Sequence, residues 1–264
     1  ISRDSVIRTL SQLPALWGIA LFVIVPTILS AVIVVIVRRA EPISMLAENN
    51  EFIAIMYPVL GLFYGVFLAF AIVIVWQRFT DAENSVYREV ASLAAMIRDA
   101  EALPAEDQAR IRQETRAYVE SIIRDEWPTM SGRGGGALTD ARYRAVWKSF
   151  HAVTPHTAAE SAFFTKALDE LNNVSEARRD RLLFSTSEMP SLLWTFLLFG
   201  AAVTIVFSYF IGTKHQITHA VTCAALTSIV GFSLLLIMEL QYPFAGGVAI
   251  RDHAYRELLS LLAR

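Results

Sequence analysis

The stretch FIAIMYPVLGLFYGVFLAFAIVIVW, residues Phe52 to Trp76, decides the fold. It holds no Asp, Glu, Lys, Arg or His over a length that crosses a bilayer core, for which roughly 20 apolar residues in a helix suffice. Three further runs of the chain read the same way. One extends from Pro14 to Val37, entered by Trp17 and closed by Arg38 and Arg39. Another covers Met189 to Gly212, with Pro190 at its start and Trp194 near the interface. The last covers Ile217 to Met238 and is closed by Glu239, while Arg78 closes the Phe52–Trp76 run. One such run is compatible with a buried core helix; four in 264 residues predict an all-α, four-span membrane protein.

Between the two apolar pairs lies a polar segment. Of the 23 basic and 25 acidic side chains, 33 fall between Arg78 and Glu188. The chain is 18% charged overall, against about 25% in an ordinary soluble domain. The predicted organisation is a first transmembrane hairpin over 1–77, a helical domain over 78–188, a second hairpin over 189–241 and a C-terminal segment over 242–264. A formal net charge of −2 gives no field for nucleic acid. The single cysteine, Cys223, permits neither a disulfide within the chain nor a cysteine-based metal centre. The first apolar run is too long for a signal-peptide core and lacks a small-residue cleavage pattern after it, so it is expected to be retained.

An even number of spans puts both termini and the polar segment on one side. That side carries Arg3, Arg8, Arg78, Arg88, Arg178, Arg179, Arg181, Arg251 and Arg256. The other carries Arg38, Arg39 and Lys214, with Glu41, Glu48 and Glu51 beside the first two. The excess of basic residues predicts a cytoplasmic polar segment.

Helical spacing continues past Trp76: Phe79, Val86, Val90, Leu93 and Ile97 recur on one stripe. Pro104, followed by Glu106 and Asp107, predicts a helix start, and Pro128 a stop after Trp127. Ser131 to Gly136 reads as a loop. It is not a phosphate cradle, since no strand precedes it and no Lys-Ser/Thr pair follows. Thr139 and Asp140 predict a helix to about Ala152. Thr154 and Pro155 predict the start of a long one. His151 and His156 flank the break between these two helices. No β pattern and no internal repeat is visible.

Candidate chemistry is sparse. There is no His-Glu-x-x-His, no Cys-x-x-Cys and no nucleophile elbow, and the spans hold no paired acid and base, so neither enzyme activity nor a cofactor is expected. His215 and His219, one helical turn apart, lack further ligands nearby and read as an interfacial pair, not a metal site. Glu239 is a carboxylate at the end of an apolar run, beside Pro243, Phe244, Gly246 and Gly247. It either snorkels to the interface or pins the following loop and faces a wet path. In the second span, Gly61, Gly65 and Ala69 recur every fourth residue and permit close helix approach. Phe63, Phe67, Phe70 and Ile74 lie on roughly the opposite face. They face lipid, or they form an apolar constriction around an oligomer axis that gates by dewetting. Leu62 and Val66 are the alternative lining if the helix is rotated.

The layout resembles the bestrophin-like family of bacterial membrane proteins. Three features carry the resemblance. The second span runs into a polar helix, VIVWQRFTDAENSVYREVASLAAMIRDAEALP, from Val73 to Pro104. Two spans, a helical insert and two more spans follow one another in order. The fourth span closes on ELQYPFAGG, from Glu239 to Gly247, where Glu239, Pro243 and Phe244 match the family and Ala245 and Tyr242 depart from it. The resemblance implies a ring-shaped homo-oligomer, a pentamer or tetramer. It sits in the lipid bilayer of the bacterial inner membrane with both termini cytoplasmic, and conducts inorganic anions through a neck lined by the second span. In that reading Gly61 and Gly65 pack the span against its neighbours, and Glu239, Pro243 and Phe244 hold the cytoplasmic end of the fourth span. The calcium clasp of animal bestrophins is not expected, since the matching stretch GVAIRDHAY offers only Asp252 and a hard cation takes several oxygens. The alternative is a non-conducting membrane scaffold or sensor acting through its cytoplasmic helices.

Overall fold

The structure is a computed structural model that describes residues 15–40, 50–132, 135–187, 189–213 and 215–263. Pro14, Arg3, Arg8, Glu41, Glu48, Lys214 and the middle of the Ser131–Gly136 loop lie outside them. Every regular element among the described residues is helical. In chain order these are α1 (Ala15–Ile19), a π-helical turn (Ala20–Ile24), α2 (Val25–Ala40), α3 (Asn50–Ala100) and α4 (Ala105–Ser121). A second π-helical turn (Ile122–Glu126) follows, then α5 (Trp127–Met130), α6 (Ala137–His151), α7 (Ala158–Thr186), α8 (Ser191–Tyr209), α9 (Gln216–Gln241) and α10 (His253–Leu262). Four stretches are long and apolar enough to cross a membrane: Leu16–Arg39, the first part of Asn50–Ala100, Ser191–Tyr209 and Gln216–Gln241.

The chain divides into two compact units. One holds the four spans and Gly246–Val248; the other holds Arg78–Ser187, Pro243–Ala245 and Ala249–Arg264. In the span unit, α9 runs antiparallel to the first span. Gly18 lies beside Leu235, Gly231 lies against the backbone of Phe22, and Arg38 reaches His219. A Cβ on Gly231 would stand 2.1 Å from the Phe22 carbonyl oxygen, so only glycine lets these two helices approach this closely there. On α8, Gly200 does the same for the ring of Tyr64 in the second span. Asn50 and Gly212 exchange two hydrogen bonds, of 2.6 and 2.9 Å, between the start of α3 and the connection that follows α8. Trp194 donates to Gln241 at 2.6 Å between α8 and α9.

The second unit encloses a core of Leu93, Met96, Ile111, Tyr118, Ile122, Phe150, Leu171 and Tyr255, among others. Charge is buried inside it. Arg181 of α7 is completely buried. It donates to Glu89 of α3 at 2.8 Å and to Glu126 of the second π turn at 2.7 Å. Glu89 also accepts the hydroxyls of Tyr118 at 2.6 Å and Tyr255 at 2.7 Å. Arg178 completes the set with Glu126 at 2.5 Å and Asp140 at 2.7 Å. Burial by itself would lower the Arg181 pKa, but the fields of Glu89, Tyr255 and Glu126 outweigh it and hold the guanidinium well above its usual range. Burial foremost, and then Glu89, keep the Tyr118 hydroxyl protonated well past its ordinary value, so it remains a donor. Six elements of the unit thus meet at one cluster in which two guanidiniums face two fully buried carboxylates.

Three boundaries in the second unit differ from the sequence expectation. Pro128 does not stop the helix. It falls in the first turn after the π-helical segment, where a missing N–H needs no partner. The long helix α7 starts at Ala158, not at Thr154, because Thr157 caps the Glu160 amide at 3.1 Å while the Glu160 carboxylate accepts the His156 amide at 2.7 Å. α6 starts at Ala137, two residues before Thr139. Gly136 is its cap, and a Cβ there would collide with the Asp125 carboxylate.

Removing one partner of a buried ion pair leaves the other charged and unpaired, which costs about 3–5 kcal/mol. Arg181→Met is therefore expected to lower the unfolding midpoint of the detergent-solubilised protein markedly, whereas Arg88→Ala, which breaks the exposed pair with Asp180, changes it by less than about 1 kcal/mol. Equal midpoints for the two variants would refute this account of the core. Gly231→Ala is expected to destabilise by about 1–3 kcal/mol through overpacking against the first span, while Gly65→Ala, with nothing of its own chain to strike, leaves the isolated chain's helix packing unchanged. Thermal unfolding of the two variants measures the difference.

Candidate functional site

The second span is the first part of a helix that does not break at the membrane boundary. α3 has 51 residues, and at about 1.5 Å per residue they reach about 75 Å, more than twice a hydrocarbon core of roughly 30 Å. Pro58 lies within it without ending it, as prolines in membrane helices do when neighbouring groups relieve the lost hydrogen bond.

The face that the second span buries in its own chain is Tyr64, Leu68, Ala71 and Val75, a stripe at three- and four-residue spacing. The residues singled out from the sequence lie elsewhere. Phe63 is 74% exposed, Phe70 64% and Ile74 47%. Phe67 is half-buried, its ring 4.1 Å from that of Phe196 on α8 and tilted by 51°. The aromatic stripe is thus split: Phe67 is engaged by the third span, and Phe63, Phe70 and Ile74 are open. Gly61 and Gly65 have nothing within 4 Å of where a Cβ would stand, and Ala69 is exposed. Leu62 and Val66 are also exposed, as is Val73. On a helix of 3.6 residues per turn, Leu62, Val66 and Val73 fall opposite the Tyr64–Leu68–Ala71–Val75 stripe. The glycines and Ala69 lie on one flank of this open face, and Phe63, Phe70 and Ile74 on the other.

Glu239 does not close the fourth span. α9 continues to Gln241, and Glu239 is buried. Its Oε2 accepts the Gly247 amide at 2.9 Å, while Gly246, at φ 84°, supplies the left-handed turn that brings that amide back. The carboxylate therefore pins the turn after the span. Phe244 belongs to the second unit, where its ring meets Trp127 edge-on at 5.6 Å. The Pro243 carbonyl accepts the Ile250 amide at 2.8 Å.

The histidines separate. His215 stands at the N-cap position of α9 with no side-chain capping bond, whereas His219 is buried. Its Nε2 bonds the Ser208 carbonyl at 2.9 Å, and its Nδ1 accepts from Arg38 at 3.3 Å, an arrangement that places the ring proton on Nε2. Cys223 lies next to them, its sulfur 3.4 Å from the Ser208 hydroxyl. Among the described residues no three His, Cys, Asp or Glu side chains come together to hold a metal. Sequence reasoning missed this Arg38–His219–Ser208–Cys223 chain, since its partners come from three different spans. It also missed Glu89: an acidic residue inside an apolar stripe was the one signal available. Arg178 and Arg181, counted among the membrane-flanking charges, are interior residues neutralised by Glu126, Glu89 and Asp140.

No curated protein matches the chain in sequence. Solved structures match it in fold. One is a single-substitution form of a bacterial bestrophin homologue from Klebsiella pneumoniae, with a TM-score of 0.73 at 14% identity, covering 91% of this chain and 99% of that one. Another substituted form of the Klebsiella protein gives 0.73 at 14% identity, with 90% and 97% covered. A further structure, described as a membrane protein, gives 0.72 at 16% identity, with 91% and 98% covered. The family model of the bestrophin-like domain matches residues 24–255, which include most of the first span, the other three spans, the pinned turn and the buried charge cluster, and the chain belongs to that family.

Proposed function

We propose that this protein is a homo-oligomeric, anion-conducting channel of the inner membrane, with an apolar neck formed by the second spans around a common axis. The observation that carries the reading is the half-buried state of that span. In its own chain it buries only the Tyr64–Val75 stripe and leaves an uncharged face open from Leu62 to Val73. Membership of a family known for anion channels supplies the function class and the ion.

A ring fits this helix because its open face has two unlike flanks. A cyclic assembly joins subunits head to tail, so each interface is heterologous and mates one flank with the other. The small-residue flank of Gly61, Gly65 and Ala69 offers room for the bulky flank of Phe63, Phe70 and Ile74 of the next subunit. Leu62, Val66 and Val73, between the flanks, then turn toward the axis, with Phe70 at its edge. Phe67 in this arrangement steadies the span through Phe196 and, of Phe63, Phe67, Phe70 and Ile74, is the least suited to face the axis. A narrow apolar neck conducts when wetted and closes when it dewets. Arg78, Arg88, Arg179, Arg251 and Arg256 still favour a cytoplasmic second unit after Arg178 and Arg181 are set aside.

Chloride flux from proteoliposomes tests the reading. Wild type is expected to conduct, and Val66→Ala and Leu62→Ala to conduct faster, because the neck widens and wets. Phe63→Ala is expected to weaken the oligomer, seen as subunit loss in size-exclusion chromatography, before it alters flux. Absence of chloride flux from intact wild-type oligomers would overturn the channel and leave the scaffold. Faster flux in Phe63→Ala and Phe67→Ala, with Leu62→Ala and Val66→Ala unchanged, would return the aromatic stripe to the axis.

A further inference from the structure

The second unit carries a groove of about 410 Å³ between α4 with its π-helical turn on one side and the C-terminal helix α10 on the other. Three arginines line it: Arg116 of α4, Arg124 of the π turn and Arg256 of α10. Glu120 is the one carboxylate among the lining residues, and Ile123 and Leu259 supply apolar surface. The volume lies in the range of small-molecule clefts. In a chain of net charge −2, three guanidiniums against one carboxylate is a local reversal of sign.

The arginines retain donors. Arg116 uses its Nε on Glu120 at 3.1 Å, and Arg256 uses Nε and one terminal nitrogen on Asp252 at 2.9 and 2.6 Å. The first pair lies within α4 and the second joins α10 to its N-cap residue; both arginines are solvent-exposed, where such pairs hold little free energy and yield to a better acceptor. Arg124 makes no hydrogen bond or ion pair with the described residues. Each guanidinium has five N–H groups in a planar fork, so most of the donors around the groove are unspent. A carboxylate with two oxygens satisfies one such fork, while a phosphoryl group, with three terminal oxygens and more charge, satisfies forks from several sides.

The local backbone is built to present them. The π-helical turn fits one extra residue into the helix, which lets Ile122 and Glu126 enter the core while Ile123 and Arg124 line the groove. The opposite wall is fixed by Tyr255, next to Arg256, whose hydroxyl is held by Glu89 and whose ring meets Trp127 at 5.6 Å. Both walls therefore rest on the buried charge cluster. We infer that this groove binds a phosphate-bearing small molecule, its phosphoryl oxygens shared by Arg124, Arg256 and Arg116 and its less polar part lying over Ile123 and Leu259. Such a ligand bridges α10 to the π-helical turn. The inference does not depend on ion conduction.

Isothermal titration of the purified full chain in phosphate-free buffer tests it, with three probes: inorganic pyrophosphate, adenosine monophosphate, and phosphatidic acid in phosphatidylcholine nanodiscs. Saturable binding of one probe per chain is expected. It should weaken by about tenfold in Arg124→Ala and in Arg256→Ala, as loss of a charge-assisted hydrogen bond requires. Glu120→Gln should bind at least as tightly as wild type, and Arg98→Ala, an exposed arginine outside the groove, should bind as wild type does. Binding of a soluble probe assigns a free metabolite; binding of phosphatidic acid alone assigns a lipid headgroup. Unchanged melting temperatures establish that Arg124→Ala and Arg256→Ala are folded, and Arg124→Gln and Arg256→Gln repeat the measurement if they are not. No saturable binding of any probe, or an equal loss in Arg98→Ala, overturns the proposal.

Discussion

A peptide group left without a hydrogen-bond partner in hydrocarbon costs several kcal/mol, and that constraint governs the whole chain. The spans meet it by being helices. Once the second span is a helix at Trp76, extending it into water adds one hydrogen bond per residue at no new nucleation cost. α3 accordingly runs on to Ala100, and its later part supplies Glu89 and the apolar residues between Ala82 and Ile97 to the second unit.

The two units solve different problems. Among the spans no water is released by burying apolar surface, since the lipid is as apolar as the side chains, so close packing and a few polar bonds hold them. Gly231 against Phe22, Gly200 under Tyr64, and the Asn50–Gly212 and Trp194–Gln241 bonds are such contacts. The second unit has the ordinary hydrophobic effect available and still buries two arginines and two glutamates. Replacing a buried ion cluster by apolar residues is often neutral for stability, so the gain here is specificity: Glu89 accepts from Arg181, Tyr118 and Tyr255 together, and this selects one docking of α4, α7 and α10 on α3.

Glu239 joins these themes at the end of the fourth span. A buried carboxylate at a helix end is tolerable when it accepts a backbone amide, and the positive φ of Gly246 returns the Gly247 amide to it. The turn that departs from the family by one inserted residue, Ala245, is thus still tied to the span by a single charge-assisted hydrogen bond.

The four spans, the helical second unit, the continuation of the second span and the family were legible in the sequence, because hydrophobic length and helical period are local properties of the chain. Pro128 and Thr157 show where local rules compete: a π-helical turn absorbed the proline, and a Thr-x-x-Glu capping box moved a helix start by several residues. The partners of Glu89, Arg181, Arg38 and Glu239 were not legible, since each partner lies on another helix and charge alone does not name it. Nor was the role of the glycines: the sequence drew attention to the Gly61–Gly65 repeat, but among the described spans the contacts within the chain are made by the isolated Gly18, Gly200 and Gly231. Sequence sets which residues a helix presents on each side; only the tertiary arrangement decides which side meets a neighbour, because that depends on backbones brought together from distant parts of the chain.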